Sequence, residues 1–415
     1  MTVPSSASRS GVPGPGLAQP PVQRVSVLAM AIAGAVTVAN IYFPQPLLEA
    51  IAHGLGVTEN SAGLIASAAQ IGYAVGILFI VPLTDTARVR RLVTVLLTVT
   101  CAGLLVAAAA PNLVTLTVAT LAVSTATVLP QIITPTAAAL AGPERSGHVV
   151  GLIGLGLTLG STLSRTVSGA VSDASGSWRT AYLVAAAMTG ALLLFLPRCM
   201  PERLNRGGPR LPYPKLLGSL PGLLAAHREV RLSAFLGATV FAAFSTFWAV
   251  LSFHLAEPPF REGPAFAGLF SLYTLPAALL SAYAGRLNDR HGPTVVNVWA
   301  LGCIGVSFAL FGLLGESMTA LVIGSNLLTL GTSASQVANQ TRLFVLGGDT
   351  TARLNTIFML SSFAGGAVGS LAAASAYGAY GWTGMVLTGG AFLALTAAAL
   401  GLGLVGRARS GKASA

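Results

Sequence analysis

The sequence predicts an all-α membrane protein of twelve transmembrane helices arranged as two pseudo-symmetric halves of six. Three observations predict this fold class: the scarcity of charge, twelve long apolar runs, and landmarks that repeat along the chain. Apolar residues make up 53% of the 415 residues and charged residues only 8%, against about 25% charged in a soluble domain. So few charges cannot cover a water-soluble protein of this length, whereas lipid can face an apolar exterior.

Each apolar run is long enough to cross a bilayer as a helix, which takes about 20 residues. Transmembrane β-strands would be shorter and would alternate in polarity, which these runs do not. The predicted spans are 25–48, 60–83, 91–110, 113–140, 149–172, 179–198, 231–255, 265–286, 293–315, 318–341, 355–377 and 383–406.

The basic residues predict the orientation of these spans. With the N-terminus in the cytoplasm, 20 of the 23 lysines and arginines fall in cytoplasmic segments and only Arg179 and Arg261 fall outside. Because basic loops stay on the cytoplasmic side, we expect both termini in the cytoplasm. The preference for arginine over lysine favours a bacterial source, and the expected location is therefore the bacterial cytoplasmic membrane.

The predicted organisation has five parts. They are a disordered N-terminal tail (1–24), a first six-helix half (25–198), a cytoplasmic linker (199–230), a second six-helix half (231–406) and a C-terminal tail (407–415). Within the linker, Leu216, Leu217, Leu220, Leu223 and Leu224 fall on one helical face. That pattern is typical of a short helix on the inner membrane surface, and an unstructured basic linker is the alternative.

The two halves repeat each other. Asp85 and Asp289 each precede a basic cluster after an even-numbered span, and Trp178 and Trp382 each open the last span of a half. Both pairs lie 204 positions apart, which indicates a duplicated six-span unit. The same offset places Gly369 opposite Arg165.

The loop around Asp289 resembles the signature loop of the major facilitator superfamily, which follows the second span of a half. The stretch 285–292 reads GRLNDRHG, whereas the earlier copy keeps Asp85 and a basic pair but has Val81 in place of the first glycine. The resemblance covers nearly the whole chain, and it implies gating loops whose acids pair with basic residues in one access state. The residues it assigns to gating are Asp85, Arg90, Arg91, Gly285, Arg286, Asp289, Arg290 and Gly292.

A second stretch is similar to a narrower branch of that superfamily. Residues 40–48, NIYFPQPLL, resemble bacterial efflux permeases named for arabinose efflux or acriflavine sensitivity. The glycine-rich motif of drug–proton antiporters is only half present in the fifth span, because no Gly-Pro pair follows its glycines. The resemblance implies export of a small molecule in exchange for protons.

Arg165 is the charged residue that lies well inside a span. A mid-membrane arginine costs about 2.5–3.5 kcal/mol on insertion scales and is a functional candidate by default. It is expected either to hold an anionic group or couple ions in a cavity, or to bond backbone carbonyls and fix helices together.

Polar side chains on the apolar helices outline a candidate substrate cavity. Unpaired amides in lipid are costly, so these groups must face protein or water; interhelical hydrogen bonds without substrate contact are the alternative. With Arg165 they are Asn40, Tyr42, Gln45, Gln70, Tyr73, Gln131, Trp248, Gln336, Asn339 and Gln340.

All twelve carboxylates fall at span ends or in loops. Proton coupling is therefore implied by the family resemblance and not by an acid deep in a span. The sequence contains no nucleophile elbow, phosphate-binding loop or metal-protease motif, so we expect no enzyme, no cofactor and no metal. The expected partners are a small-molecule substrate, a coupling proton or other ion, and lipid; no nucleic acid is expected, and the chain is expected to be a monomer.

Two transport hypotheses remain open at this point. One is proton-coupled efflux of a small amphipathic or drug-like molecule or metabolite. The other is proton-coupled uptake of a small metabolite or organic anion, for which Arg165 is the motivating residue. A non-transporting membrane sensor is a remote alternative.

Overall fold

The computed structural model describes residues 24–85, 87–141, 146–200, 202, 212–280, 282–347 and 350–413. The predicted disordered tail lies outside these residues except for Arg24, and residues 201 and 203–211 of the predicted linker also lie outside them. The first part of the chain forms α1 (Arg24–Tyr42), a 3-10 turn (Gln45–Leu47), α2 (Leu48–Leu55), α3 (Glu59–Phe79), a second 3-10 turn (Val81–Asp85), α4 (Val89–Ala108), α5 (Leu113–Ala126), α6 (Leu129–Ala141), α7 (Ser146–Ser175) and α8 (Trp178–Cys199).

The second part of the chain is also helical throughout its described residues. It forms α9 (Tyr213–Ala226), α10 (Arg228–Ala256), α11 (Pro264–Leu269), a 3-10 turn (Phe270–Thr274), α12 (Leu275–Leu280), α13 (Ala282–Leu313), α14 (Met318–Gly347) and α15 (Thr351–Ala413). The all-α prediction is confirmed. α15 extends to Ala413, and the predicted cytoplasmic tail from 407 stays a prediction.

Local signals begin and end these helices. Thr58 Oγ1 accepts a hydrogen bond of 3.3 Å from the Ser61 backbone N–H, which caps α3, and Asn112 caps α5 in the same way. Gly56 ends α2 with φ at 64°, a left-handed conformation that glycine adopts without strain. Such caps satisfy backbone groups at helix ends.

Nine helices within the described ranges are long and apolar enough to cross a membrane. One candidate of 53 residues, Thr351–Gly403, is broken at Gly381, where φ is 57°, so two helices meet there. α13 is likewise broken at Gly292, where φ is 77°. The apolar stretch Pro264–Leu280 is shorter than the nine. The multi-pass prediction is confirmed, and the count of twelve stays a prediction.

Small residues set matching helix contacts in the two parts of the chain. Each contact seats a glycine directly on the backbone of an alanine, where a side chain would overlap that backbone. The pairs are Gly156 with Ala31 and Gly160 with Ala35 between α7 and α1, and Gly365 with Ala238 and Gly369 with Ala242 between α15 and α10. Close backbone approach of this kind is what small residues permit in membrane helices.

This packing corrects one sequence prediction. Gly369 occupies the position of Gly160, so it is not the counterpart of Arg165. The stretch from Gly160 to Trp178 is 18 residues long and that from Gly369 to Trp382 is 13. The number of positions that separates equivalent loop residues of the two halves therefore differs from the number that separates equivalent helix residues.

Two further contacts join the first part of the chain to the second. Gly63 of α3 lies against Ala374 of α15, and Gly268 of α11 lies against the backbone carbonyl of Arg165 in α7. The two contacts mirror each other, which makes Ala374 the counterpart of Arg165. The charge of Arg165 thus has no equivalent in the second part.

α9 lies where the sequence predicts a short linker helix. Three of its leucines pack against the bundle: Leu220 is buried in a cluster with Val230, Leu343 and Phe358, and Leu217 and Leu223 pack against it. Leu224 is 36% exposed, and a position on the membrane surface stays a prediction. The Tyr213 hydroxyl also donates to the Phe79 carbonyl at 2.9 Å. α9 therefore packs on the helix ends of both parts of the chain.

Candidate functional site

A cavity of about 180 Å³ lies at the centre of the helix bundle. Its wall comes from α1, α3, α6, α7, α10, α14 and α15, so both parts of the chain contribute. Four of the predicted cavity residues line it: Tyr42, Tyr73, Gln131 and Gln336. Gln131 Nε2 donates to the Tyr73 hydroxyl at 3.4 Å, which sets two of these polar groups on one side.

The central cavity continues into a larger one of about 710 Å³. Gln131, Gln336 and Met359 belong to both walls. The larger cavity is bordered by Thr84 of the turn after α3 and by Arg353 at the start of α15. These residues lie at the end of the bundle that carries the arginine-rich loops, which is the predicted cytoplasmic side.

The opposite end of the bundle is closed by an apolar core. Phe43 and Leu47 of the first part pack there with Phe247, Trp248 and Phe270 of the second, and all five are at most 4% exposed. Phe247 and Phe311 stack with ring centroids 4.7 Å apart. In the part of the chain that the structure describes, the central cavity therefore communicates with one side of the bundle.

Arg165 lies between the cavity and this closed end, with 5% of its surface exposed. Its guanidinium carbon lies 4.5 Å from the ring centroid of Tyr42 and 4.2 Å from that of Trp248. Nε donates to Gln45 Oε1 at 2.7 Å, and Nη1 donates to the Ser161 carbonyl at 2.9 Å. No carboxylate of the described residues forms an ion pair with it.

This geometry keeps a buried cation without a carboxylate partner. Aromatic faces attract a guanidinium through their quadrupole, by about 2 kcal/mol or more when the contact is desolvated. Tyr42 belongs to the first part of the chain and Trp248 to the second, so the arginine links the two. Trp248 Nε1 is itself buried without a hydrogen-bond partner among the described residues.

The remaining predicted cavity residues fall into three places. Gln340 lines the larger cavity. Gln70 is 3% exposed, and its Oε1 has no hydrogen-bond partner in the described part of the chain. Asn40 donates to Thr189 Oγ1 at 3.3 Å and Asn339 is fully buried, so neither lines a cavity and both serve interhelical packing.

Asn339 belongs to a buried polar network that sequence reasoning missed. Its Nδ2 donates to Asn297 Oδ1 at 3.1 Å, and Ser335 Oγ donates to the same oxygen at 2.7 Å. Arg342, 5% exposed, lies 3.4 Å from a Glu229 carboxylate oxygen through Nε and donates from Nη1 to Asn339 Oδ1 at 3.3 Å. In the sequence Arg342 is one of the basic residues that predict the orientation of the spans, and only the fold shows that it is buried.

The signature loops show a different arrangement from the predicted one. Arg90 donates through Nε and Nη2 to the Met200 carbonyl, at 3.3 and 3.1 Å. Asp289 is exposed and pairs with no residue whose side chain the structure describes. The expected pairing of Asp289 with Arg286 and Arg290 is therefore absent in this state.

The other loop residues have simple positions. Arg286 lies over the Tyr283 ring at 5.1 Å, and Arg91 and Arg290 are exposed. Gly285 is half-buried within α13, and Gly292 makes the left-handed break in that helix. The side chain of Asp85 lies outside the described residues, so its predicted pairing stays a prediction.

Aromatic and thioether side chains complete the cavity wall. Phe241, Phe358, Met359 and Phe363 line it together with Tyr73. No sequence signal separates them from lipid-facing apolar residues. No three His, Cys, Asp or Glu side chains within the described ranges gather as a metal site would require.

The sequence of this chain is similar to those of known proteins. The family model described as Major Facilitator Superfamily matches residues 30–261. The "Uncharacterized transporter YgaY" of Escherichia coli O157:H7 is 37% identical over 363 residues, covering 88% of this chain and 91% of the relative. The "Probable transporter SCO4007" of Streptomyces coelicolor is 35% identical over 374 residues, covering 90% of this chain and 86% of the relative.

Solved structures show the same architecture. A crystal structure of a mutant form of the nucleoside transporter NupG superposes with a TM-score of 0.75 at 14% sequence identity. The match covers 92% of this chain and 99% of that one. At this identity the likeness shows the fold alone.

Proposed function

The chain belongs to the Major Facilitator Superfamily and is a multi-pass membrane transporter, and we propose that it works by alternating access as a proton-coupled exporter of a small amphipathic or drug-like molecule or metabolite. The observation that carries the proposal is the central cavity, which is walled by both parts of the chain and continues into the larger cavity on one side. A transporter of this kind exposes such a cavity to each side in turn.

The helix contacts support rigid-body rocking of two halves, 25–198 and 231–406. Within each half, matching glycine–alanine pairs hold two helices closely together. Between the halves, the contacts of Gly63 with Ala374 and of Gly268 with Arg165 are symmetric. Two such symmetric pivots are what rocking around a central site requires.

The cavity wall favours an amphipathic substrate over an organic anion. Phe241, Phe358 and Phe363 supply apolar area, whereas hydroxyl and amide groups supply a few polar contacts. Such a mixed wall is typical of small-molecule sites. Arg165 motivates the anion alternative, but it is 5% exposed, its guanidinium lies over the rings of Tyr42 and Trp248, and it does not line the cavity.

Groups outside the central cavity are proposed to bind the coupling proton. No described residue lining that cavity is a carboxylate. Carboxylates at the ends of the spans, such as Glu257, which accepts a hydrogen bond of 3.2 Å from the Tyr377 hydroxyl, are the candidates for the proton. The arginine-rich loops and the bacterial relatives support a location in the bacterial cytoplasmic membrane with both termini in the cytoplasm. The monomeric state is part of the proposal.

The test uses inverted membrane vesicles that carry this protein. The lumen is acidified by respiration, an acridine dye reports the pH gradient, and drugs, sugars and organic acids are added one at a time. We expect one or more amphipathic compounds to restore fluorescence. The effect should be lost in Arg165→Ala and Asp85→Asn and kept in Phe195→Leu, a matched control whose ring is 68% exposed.

Absence of recovery with every compound, in vesicles with verified folded protein, would contradict proton-coupled export. Accumulation of an organic acid by right-side-out vesicles would then support the uptake alternative.

A further inference from the structure

Three aromatic rings from three helices meet in the central cavity. Tyr73 of α3 and Phe363 of α15 have ring centroids 4.5 Å apart at an interplanar angle of 55°. Phe241 of α10 lies 5.1 Å from Phe363 at 60°. All three line the cavity, so both parts of the chain present ring edges and faces to whatever it holds. Tilted and offset arrangements are those that aromatic pairs prefer.

The volume of the central cavity matches a ligand of one or two rings. An apolar cavity of about 150 Å³ in a protein core binds benzene. The central cavity, at about 180 Å³, is slightly larger, and a longer ligand would extend into the larger cavity beyond Gln131 and Gln336.

The wall carries no charged side chain among its described residues. A carboxylate ligand would find no cation, because Arg165 is covered by Tyr42 and Trp248. An ammonium ligand would find aromatic faces but no counter-ion, and it would pass Arg353 in the larger cavity. Burying an unpaired charge is costly, so this wall selects an uncharged ligand.

Polar groups at one edge of the cavity remain available. Gln131 donates to Tyr73 at 3.4 Å, which leaves the Gln131 carbonyl oxygen for a ligand donor. Gln336 Nε2 makes only a weak contact within the described residues, to Met359 Sδ at 4.0 Å. One amide acceptor and one amide donor therefore lie beside the aromatic cluster.

We propose that the transported molecule is an uncharged one- or two-ring aromatic compound, bound against Tyr73, Phe241 and Phe363 with its polar edge on Gln131 and Gln336. The inference rests on the proposed function, since it names the substrate class of that same cavity. It also excludes the organic-anion alternative on the structure of the wall.

The test measures equilibrium binding to the purified protein in detergent, with three indoles that share a ring and differ in charge. They are indole-3-ethanol (neutral), tryptamine (cationic) and indole-3-acetate (anionic). Isothermal titration gives each Kd. We expect the neutral compound to bind at least about tenfold more tightly than either charged one, a difference that the cost of burying an unpaired charge supplies.

Substitutions of cavity residues test whether the ligand binds in the central cavity. Phe363→Leu and Phe241→Leu should each weaken binding of indole-3-ethanol about three- to tenfold, because an aromatic pair is lost. Phe195→Leu, a lipid-facing control, should leave its Kd unchanged. Thermal unfolding verifies that each variant is folded. Tyr73→Phe keeps the aromatic ring and should therefore weaken binding less than the two leucine substitutions.

Each other outcome would overturn the proposal. Tightest binding of indole-3-acetate, abolished by Arg165→Gln, would show an anion site. Tightest binding of tryptamine would show a cation site, and no binding of any indole by folded protein would contradict the aromatic assignment. Because binding needs no membrane gradient, neutral-indole binding without flux would instead contradict the proposed transport cycle alone.

Discussion

The guanidinium of Arg165 in α7 packs on the indole of Trp248 in α10, 4.2 Å from guanidinium carbon to ring centroid. The contact crosses between the two parts of the chain at the closed end of the cavity. The contact therefore couples the conformation of the closed end to the position of the cavity wall.

Trp248→Leu should loosen this closed end. A desolvated cation–π contact contributes about 2 kcal/mol, so its loss should shift the equilibrium between closed and open outer ends by about thirtyfold. Spin labels placed at Glu59 and Glu262 report the opening as a longer distance by electron resonance. Trp299→Leu, on a residue that is 49% exposed, is the matched control, and an equal effect in both variants would contradict the link.

Gly268→Ala should damage the pivot between α11 and α7. The added methyl group would overlap the Arg165 carbonyl oxygen, and overpacking of this kind costs about 1–3 kcal/mol. Gly302→Ala, where a methyl group meets nothing within 4 Å, should be neutral or slightly stabilising. Thermal unfolding and transport are measured for both, and a Gly268→Ala protein as stable and active as wild type would refute the pivot.

Arg342→Ala should destabilise the protein by about 3 kcal/mol, because it removes the buried guanidinium that lies 3.4 Å from a Glu229 carboxylate oxygen and donates to Asn339. Replacing both Arg342 and Glu229 by Met and Leu should recover most of that loss, since an apolar pair needs no desolvation. Arg88→Ala, which breaks a pair whose side chains are 60% and 67% exposed, should cost less than about 1 kcal/mol. Denaturant unfolding ranks the three variants, and equal losses would contradict the buried network.

Asp289→Asn should slow transport and leave the unfolding temperature unchanged. The carboxylate is exposed and forms no ion pair with a side chain that the structure describes, so it contributes little stability in this state. Its expected role is in the opposite access state, where the loop would close. A lowered unfolding temperature at unchanged transport would place the residue in a structural role instead.

The helices and the membrane location could be predicted from the sequence because they depend on composition and run length, which a single chain displays. Arg165 could be predicted as a candidate because charge inside an apolar run is conspicuous. Its partners Tyr42, Gln45 and Trp248 were predicted as cavity residues, yet their contact with Arg165 depends on how α1, α7 and α10 cross.

Phe241 and Phe363 could not be predicted as cavity residues. An apolar side chain is compatible with lipid, core or cavity, and only the packing decides among them. The same holds for Arg342, which lies at the end of a span in sequence and in a buried network in the fold. The polar residues therefore predicted where the transport path lies, whereas the aromatic residues of its wall could be identified only from the tertiary structure.

The most direct measurement of alternating access is the labelling of a single cysteine in the cavity wall. Gln131→Cys is introduced after Cys101, Cys199 and Cys303 are replaced by serine, and a membrane-impermeant maleimide is applied to inverted and to right-side-out vesicles. We predict rapid labelling in inverted vesicles, slow labelling in right-side-out vesicles, and a rise in the latter when Trp248→Leu is added. Equal labelling from both sides without that change, or labelling from neither, would contradict a central cavity that opens to one side at a time.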